Sequence, residues 1–452
     1  MKARRGFRAV AVASVVAVAA LGLGIGAASA AQIDPAVKNV KKIKEPKNCP
    51  AIPGVTDSEI KIGSIAPMTG PSSGSGFFPN IIEGVNARFA AANDAKELGS
   101  RKLTLVTADD KGDTAQNLSA AQNLVEQEKV YAVIPMSAAG AASAPYLSQK
   151  KIPGVGWQLG LDIYGKYPNL FGFQNANAAE LASNYTSRNA ASMAKAGAKK
   201  VALIGGNTGN AAVFIEQVND SISRFGKDLG GLSVAYKTTD VPVGNTDWGS
   251  YAQKIKDSGA DSVYTALATA DNIGLVGALK QAGANIQHVI LSAGYDPRVA
   301  AIPAFEGATL GLEFKPLETT PAPPGITAFK AAMAKYKPDA TVNQSAAVGW
   351  LTANALIEGV KAAGVNCPTQ AAFINNLRLT KGYTADGWFD PINFQEVFNK
   401  PFACAYYVQI QGGKFVPAFG GEKVCGEFVK NNKLVLPTAT TVAGATTTTA
   451  AK

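Results

Sequence analysis

The first residues with chemical promise are those of "IKIGSIAPMTGPSSGSGFFP", 60–79. An apolar run there feeds a loop of glycines and hydroxyls, and "NIIEGVNARFAAAN" follows with helical spacing. A strand, a Gly/Ser loop and a helix start present backbone N–H groups and hydroxyls to a small anion. Thr69, Ser72, Ser73 and Ser75 are the candidate donors, and Met68 and Phe77 the candidate apolar wall. The same hydroxyls also serve as turn residues that satisfy their own backbone. No lysine completes a G-x-x-x-x-G-K-[ST] pattern, which argues against a nucleotide. "GGNTGN", 205–210, is a partial dinucleotide fingerprint without G-x-G-x-x-G spacing. It reads better as a ligand loop offering Asn207 and Thr208. Trp157 and Tyr295 are placed to stack on a ligand or wall it in.

Other chemistry finds little support. The chain has one histidine, His288, and no motif sets a serine or cysteine beside it, so nucleophilic catalysis has no visible machinery. None of the four cysteines has C-x-x-C spacing, so neither a metal nor a cofactor is expected. Asp109 and Asp110 end a strand pattern and read as braces for the loop. Asp386 and Asp390 belong to a turn with Pro391.

These residues need a scaffold, and the apolar pattern supplies one. "EIKIGSIA", "RKLTLVTADD" and "VYAVIPM" read as strands, and "TAQNLSAAQNLVEQEK" as a helix with Leu118, Ala121 and Val125 on one face. From "KKVALIGG" the order repeats, through "LSVAYKTT", "DSVYTALA" and "HVILSAG" with helices between. Nearly continuous apolar strands alternating with helices predict α/β architecture. Two similar lobes are expected, each a parallel sheet flanked by helices. Ligands in such sheets sit beyond the carboxyl ends of the strands. That selects loops 67–78, 137–140 and 156–159 in one lobe and 206–210, 268–272 and 293–297 in the other, facing a cleft. Helices are expected around 325–336 and 344–363, and a hairpin turning at Gly412-Gly413.

In this order and spacing, "IKIGSIAPMTGPSSGSG", "LTLVTADDKGD", "VYAVIPMSAAGAASAP", "KIPGVGW", "KKVALIGGNTGN" and "ADGWFDPINF" resemble the type I periplasmic binding proteins. The chain is most similar to substrate-binding proteins of branched-chain amino acid ABC transporters. The resemblance runs from about 57 to 420 and implies a three-crossover hinge between the lobes. It places one lobe at 57–174 and 315–395, the other at 175–314 and 396–430. It implies capture of a small solute in the cleft and delivery to a membrane ABC permease. The family's carboxylate-binding loops match Ser137, Ala138, Ala139 and Gly140, and Gly156 to Leu159. The small hydroxyl residues usual in the second loop are replaced by Trp157 and Gln158. The family's ammonium-binding tyrosine has no counterpart in "GGNTGNAA". Its acid falls without gaps on Gly274, and Asp271 fits with a shift. An ammonium without its partner would bury an unpaired charge. The expected ligand is therefore amino acid-like or a carboxylate with an apolar or aromatic body.

The ends bound the setting. Residues 1–30 show the charged, apolar, small-residue order of an export signal, with two arginines that loosely fit a twin-arginine pattern. Residues 31–56 read as a basic linker and 431–452 as a disordered Thr/Ala tail. Of the formal net charge of +10, four positive charges belong to the signal and a net three to residues 31–50. The remainder carries about +3, which is no nucleic-acid footprint. Four cysteines in an exported, monomeric chain suggest two disulfides, with three connectivities open. The expectation is Cys367–Cys404, flanking "YTADGWFDP", and Cys49–Cys425. An exported, cell-envelope solute receptor is the leading reading. A ligand-sensing module and an enzyme using the same cleft are the alternatives.

Overall fold

The computed structural model describes residues 33–70, 77–159, 161–173, 187–207, 209–242, 244–400 and 403–426. The expected signal and Thr/Ala tail lie outside them. After a short helix α1 (Pro35–Lys38), the first group is β1 (Glu59–Ala66), α2 (Phe77–Asp94), β2 (Lys102–Asp109), α3 (Thr114–Glu126), β3 (Ala132–Pro135), α4 (Ala144–Gln149), β4 (Gly154–Gly156), α5 (Ile163–Lys166) and β5 (Leu170–Gly172). The second is α6 (Arg188–Ala196), β6 (Lys200–Gly206), α7 (Gly209–Phe225), β7 (Ser233–Val241), α8 (Gly249–Asp257), β8 (Ser262–Ala266), α9 (Thr269–Gln281), β9 (His288–Leu291), α10 (Pro297–Ala300) and β10 (Thr309–Leu312). Helices α11 (Pro324–Tyr336), α12 (Gln344–Ala363) and α13 (Gln370–Leu379) come next. Strands β11 (Cys404–Gln411), β12 (Lys414–Pro417) and β13 (Val424–Cys425) complete the chain's second sheet.

The first sheet has order β2-β1-β3-β4-β5, all parallel. The second runs β12-β11-β10-β9-β8-β6-β7, with β13 on β11. It is parallel from β7 to β10 and antiparallel beyond. The strands are apolar on both faces because helices cover both. Ile60, Ile62 and Ile65 of β1 are all fully buried. No helix among the described residues is long and apolar enough to cross a membrane.

The helices α11–α13 return to the first sheet and thicken its core. Helix α12 buries 16 of its 20 residues, so it reads as a core helix with little polar face. It lies on α2 at backbone distance: a Cβ added to Gly84 would land on the Ala346 carbonyl, and one added to Gly349 on that of Ile81. Helix α3 turns further than its apolar spacing suggests. Asn117, Ala120, Ala121 and Leu124 face inward, leaving Leu118 and Val125 partly buried. Asn117 is drawn in because its amide donates to buried Asp110 at 2.8 Å.

Two expectations are overturned. The disulfides are Cys49–Cys367 and Cys404–Cys425, not Cys367–Cys404 and Cys49–Cys425. Strand β13 pairs antiparallel with β11 and sets Cys404 opposite Cys425. Cys367 instead follows α12, where its N–H donates to Glu45 Oε1 at 2.6 Å. The described part of the basic linker is a docked strap. The Asn376 side chain bonds both the N–H and the C=O of Ile43 at 2.8 Å. Gln395 donates to the Val37 carbonyl at 2.8 Å and Asn399 to Asp34 at 2.9 Å. Composition showed the lysines of this segment but not the amides waiting for its backbone.

Candidate functional site

At the carboxyl edge of the first sheet the loops are tied down by their own polar groups. Asp109, the register partner of Ala66, accepts from the backbone N–H groups of Met68 and Lys111 at 2.9 Å. The Thr69 hydroxyl donates to the same carboxylate. Burial pushes the Asp109 carboxyl up, but these hydrogen bonds outweigh it and hold the group below its usual value. Asp109 is thus the brace expected from sequence, and Thr69 is spent on it. Ser75 lies outside the described residues. Ser137 is fully buried, and its Oγ accepts from the Ala139 N–H at 3.1 Å. Its hydroxyl therefore shapes the turn that Ala139 and Gly140, both buried, complete. Ala138 alone in this turn is exposed, and among the described residues nothing accepts from its backbone N–H. Glycine is required at 156, where a Cβ would land on the Tyr164 hydroxyl. That hydroxyl donates to the Pro135 carbonyl at 3.1 Å and steadies the loop after β3.

Met68, Phe77 and Trp157 are partly buried against the main core. Phe77 and Trp157 have ring centroids 6.0 Å apart, so this edge ends in an aromatic wall with Gln158 beside it.

The second sheet's edge differs from expectation. Asn207 is exposed after β6, and Thr208 lies outside the described residues. Asp271 is buried in the first turn of α9, where the helix dipole favours an acid whether or not a ligand is present. Tyr295 is only 3% exposed and is not brought to the cleft. Its ring packs on Phe415 at 4.8 Å, and its hydroxyl donates to Glu318 and accepts from the Leu317 N–H at 2.7 Å. The rest of loop 293–297 is also engaged. Asp296 accepts from the Asn343 side chain at 2.6 Å, and the Gln344 N–H donates to the Tyr295 carbonyl at 2.9 Å. This loop is a joint to α12.

What replaces it is a cavity of about 130 Å³ at the carboxyl ends of β9 and β10. Its floor is Tyr264, Ile290, Leu312 and Tyr407 of the sheet. Its roof is Arg188, Ser192 and Met193 of α6 with Phe214 and Gln217 of α7, and Gln158 reaches its rim. Glu313, the residue after β10, is the one acid in the lining. Its Oε2 is shut off from solvent and has no hydrogen-bond partner among the described residues. Burial pushes its carboxyl up, opposed first by Arg188 through space and more weakly by the nearby Trp157 side chain. So Gln158, from the first sheet's edge, lines the same cavity as Glu313 from the second. Sequence reasoning missed Glu313 and Arg188. Their one signal was position: Glu313 is a lone acid straight after the apolar run "ATLGL".

This assembly supplies hydrogen bonds, one carboxylate, one guanidinium and apolar walls, which is the equipment for holding a solute. Among the described residues no group of three His, Cys, Asp or Glu side chains is arranged to hold a metal.

Comparison with known proteins agrees with the architecture. The sequence profile described as periplasmic binding protein matches residues 59–414. No curated protein sequence matches the chain. Among solved structures, a branched-chain amino acid ABC transporter protein from Thermus thermophilus with bound valine is 17% identical. It covers 83% of this chain and 98% of its own, with a TM-score of 0.67. An ABC transporter solute-binding protein from R. palustris in complex with 4-hydroxybenzoate is 22% identical, covering 82% and 97%, with a TM-score of 0.63. A fatty acid ABC transporter substrate-binding protein from Thermomonospora curvata is 16% identical, covering 82% and 94%, with a TM-score of 0.65. At these identities the likeness is one of fold.

Proposed function

The chain belongs to the periplasmic binding protein family, and from that premise we propose that it is an exported receptor that captures a small solute between two lobes and hands it to a membrane ABC permease. The lobes are taken as 57–174 with 315–395 and 175–314 with 396–430. The observation that carries the reading is the cavity at the strand ends that Gln158, from the first sheet's edge, and Glu313, from the second, line together. The ligand bears a carboxylate or similar acceptor for the first lobe's edge, where Ala138 is exposed and its N–H has no acceptor among the described residues. Its body is apolar or aromatic and packs on Met68, Phe77 and Trp157. A free branched-chain amino acid suits the site poorly, because no tyrosine stands in the loop after β6 and Asp271 is buried in the first turn of α9. That relatives of this fold carry valine, 4-hydroxybenzoate or a fatty acid supports a small carboxylate and leaves its body to this chain's own walls.

Native mass spectrometry of the chain purified from its own host tests the reading. A co-purified small carboxylate supports it, and titration with leucine, isoleucine and valine should show only weak binding. Micromolar or tighter binding of any of the three would return the chain to amino acid transport. Small-angle scattering adds a check on motion: the radius should contract at saturation with the recovered solute.

A further inference from the structure

The cavity beside Glu313 has a chemistry narrower than "small carboxylate". Its lining is apolar at Met193, Phe214, Ile290 and Leu312 and polar at Asn189, Ser192, Gln217 and Ser292. Its volume of about 130 Å³ is close to that of an apolar cavity of about 150 Å³ that accepts benzene, so one ring or a short branched chain fills it. A buried carboxylate oxygen with no donor is costly, and a ligand donor placed there recovers the loss. That position is Glu313 Oε2.

Charge narrows the donor. Arg188 lines the same cavity and acts on Glu313 through space. An ammonium group would bring a second cation beside that guanidinium, and a carboxylate would bring a second anion beside Glu313. A neutral donor meets neither objection. We propose that this cavity is a subsite for a neutral hydroxyl-bearing body, a phenol or an alcohol, whose O–H donates to Glu313 Oε2. The proposal deepens the solute-receptor reading and rests on it. The upward push of burial on the Glu313 carboxyl agrees with an uncharged partner.

The test uses fragments on the full chain. p-Cresol, toluene, 4-methylbenzylammonium and 4-methylbenzoate share one body and differ in the polar group. p-Cresol should bind at least tenfold tighter than toluene and tighter than either ion. Its binding should shift the Trp157 indole N–H resonance, which toluene leaves in place. Glu313→Met should reduce the p-cresol to toluene ratio to within threefold, and the resonance shift on unaltered protein stands even if that variant fails to fold. Equal binding of p-cresol and toluene, preference for either ion, or no fragment binding at millimolar concentration would each overturn the subsite. The wider reading is judged separately by the co-purified solute: a chain that carries one yet fails here loses only the hydroxyl subsite.

Discussion

The two sheets are built alike and packed differently. One continuous core joins one face of the first sheet to α2 and α12, and runs on through Phe314, Leu317 and Tyr295 to Leu310, Val408 and Phe415 of the second, while the first sheet's other face keeps a small cluster of its own with Ile65, Leu124, Val133 and Leu147. The rest of the second sheet is held by two separate thin clusters, one per face. One gathers Leu203, Ile215, Val218 and Ile222 under α6 and α7. The other gathers Ile204, Ile255, Val263 and Leu279 under α8 and α9. At the first edge the Asp109 and Ser137 side chains are engaged by backbone N–H groups, whereas at the second Glu313 keeps an oxygen unpartnered. A thick core makes a platform, and a thin core beside an unpartnered carboxylate leaves room for a ligand to complete it.

The largest expected effect that could break this contrast is in the cores. Leu351→Ala in α12 should cost about 4–5 kcal/mol and Leu279→Ala in α9 about 2–3 kcal/mol, since a thin cluster collapses more readily around the gap. Equal losses in urea denaturation would remove the contrast. The disulfides come next. Replacing Cys49 and Cys367 by serine should cost about 2–4 kcal/mol, and unreduced peptide mapping should recover Cys49–Cys367 and Cys404–Cys425 peptides and no cross-pair.

Two glycines sharpen the comparison by sign. Gly349→Ala drives a methyl into the Ile81 carbonyl and should cost about 1–3 kcal/mol. Gly277→Ala in α9 meets nothing within 4 Å and should gain about 0.5–1 kcal/mol from helix propensity. A destabilising Gly277→Ala, read as a lower Tm, would mean the second lobe is packed more tightly than described.

The smallest effects are in pH. Burial pushes the Glu97 carboxyl up, but hydrogen bonds with Arg88 and Lys361 outweigh it and bring it to about 2 from 4.5. Its pairing supports the fold fully above about pH 4.5 and is lost as pH falls towards 2. The Glu313 carboxyl is raised by burial, so its contribution is full below the ordinary carboxylate range and lost as pH rises through the raised value. Tm measured against pH should show Glu97→Gln flattening the acid limb and Glu313→Gln raising stability near neutrality. The same response from both variants would contradict the difference between a paired and an unpartnered carboxylate.

Much of the platform was legible in sequence because apolar runs and helix spacing are local signals. "EIKIGSIA" coincides with β1, and α12 spans the expected 344–363. What escaped depends on long-range placement. Tyr295 occupies a strand-end loop, as a ligand residue would, yet Glu318 and Leu317 take its hydroxyl. Glu313 carries no motif, and its role comes from the cavity it lines with Gln158 of the other sheet's edge. The cysteine pairing follows from the register of β13 on β11, a two-residue strand with no periodicity to read.

The strap has a consequence for the chain's biogenesis. Asp34, Val37 and Ile43 bond to Asn399, Gln395 and Asn376, separated by 365, 358 and 333 residues. These strap residues therefore leave the ribosome long before the residues that seat them. Until residues near 399 arrive, the strap's backbone has only water to bond with, and Cys49 has no Cys367 to meet. Closing so long a loop comes late, because its entropy must be lost before its contacts return anything. A chain truncated before Asn376 should leave residues 33–50 open to protease even where β1 to β5 have formed.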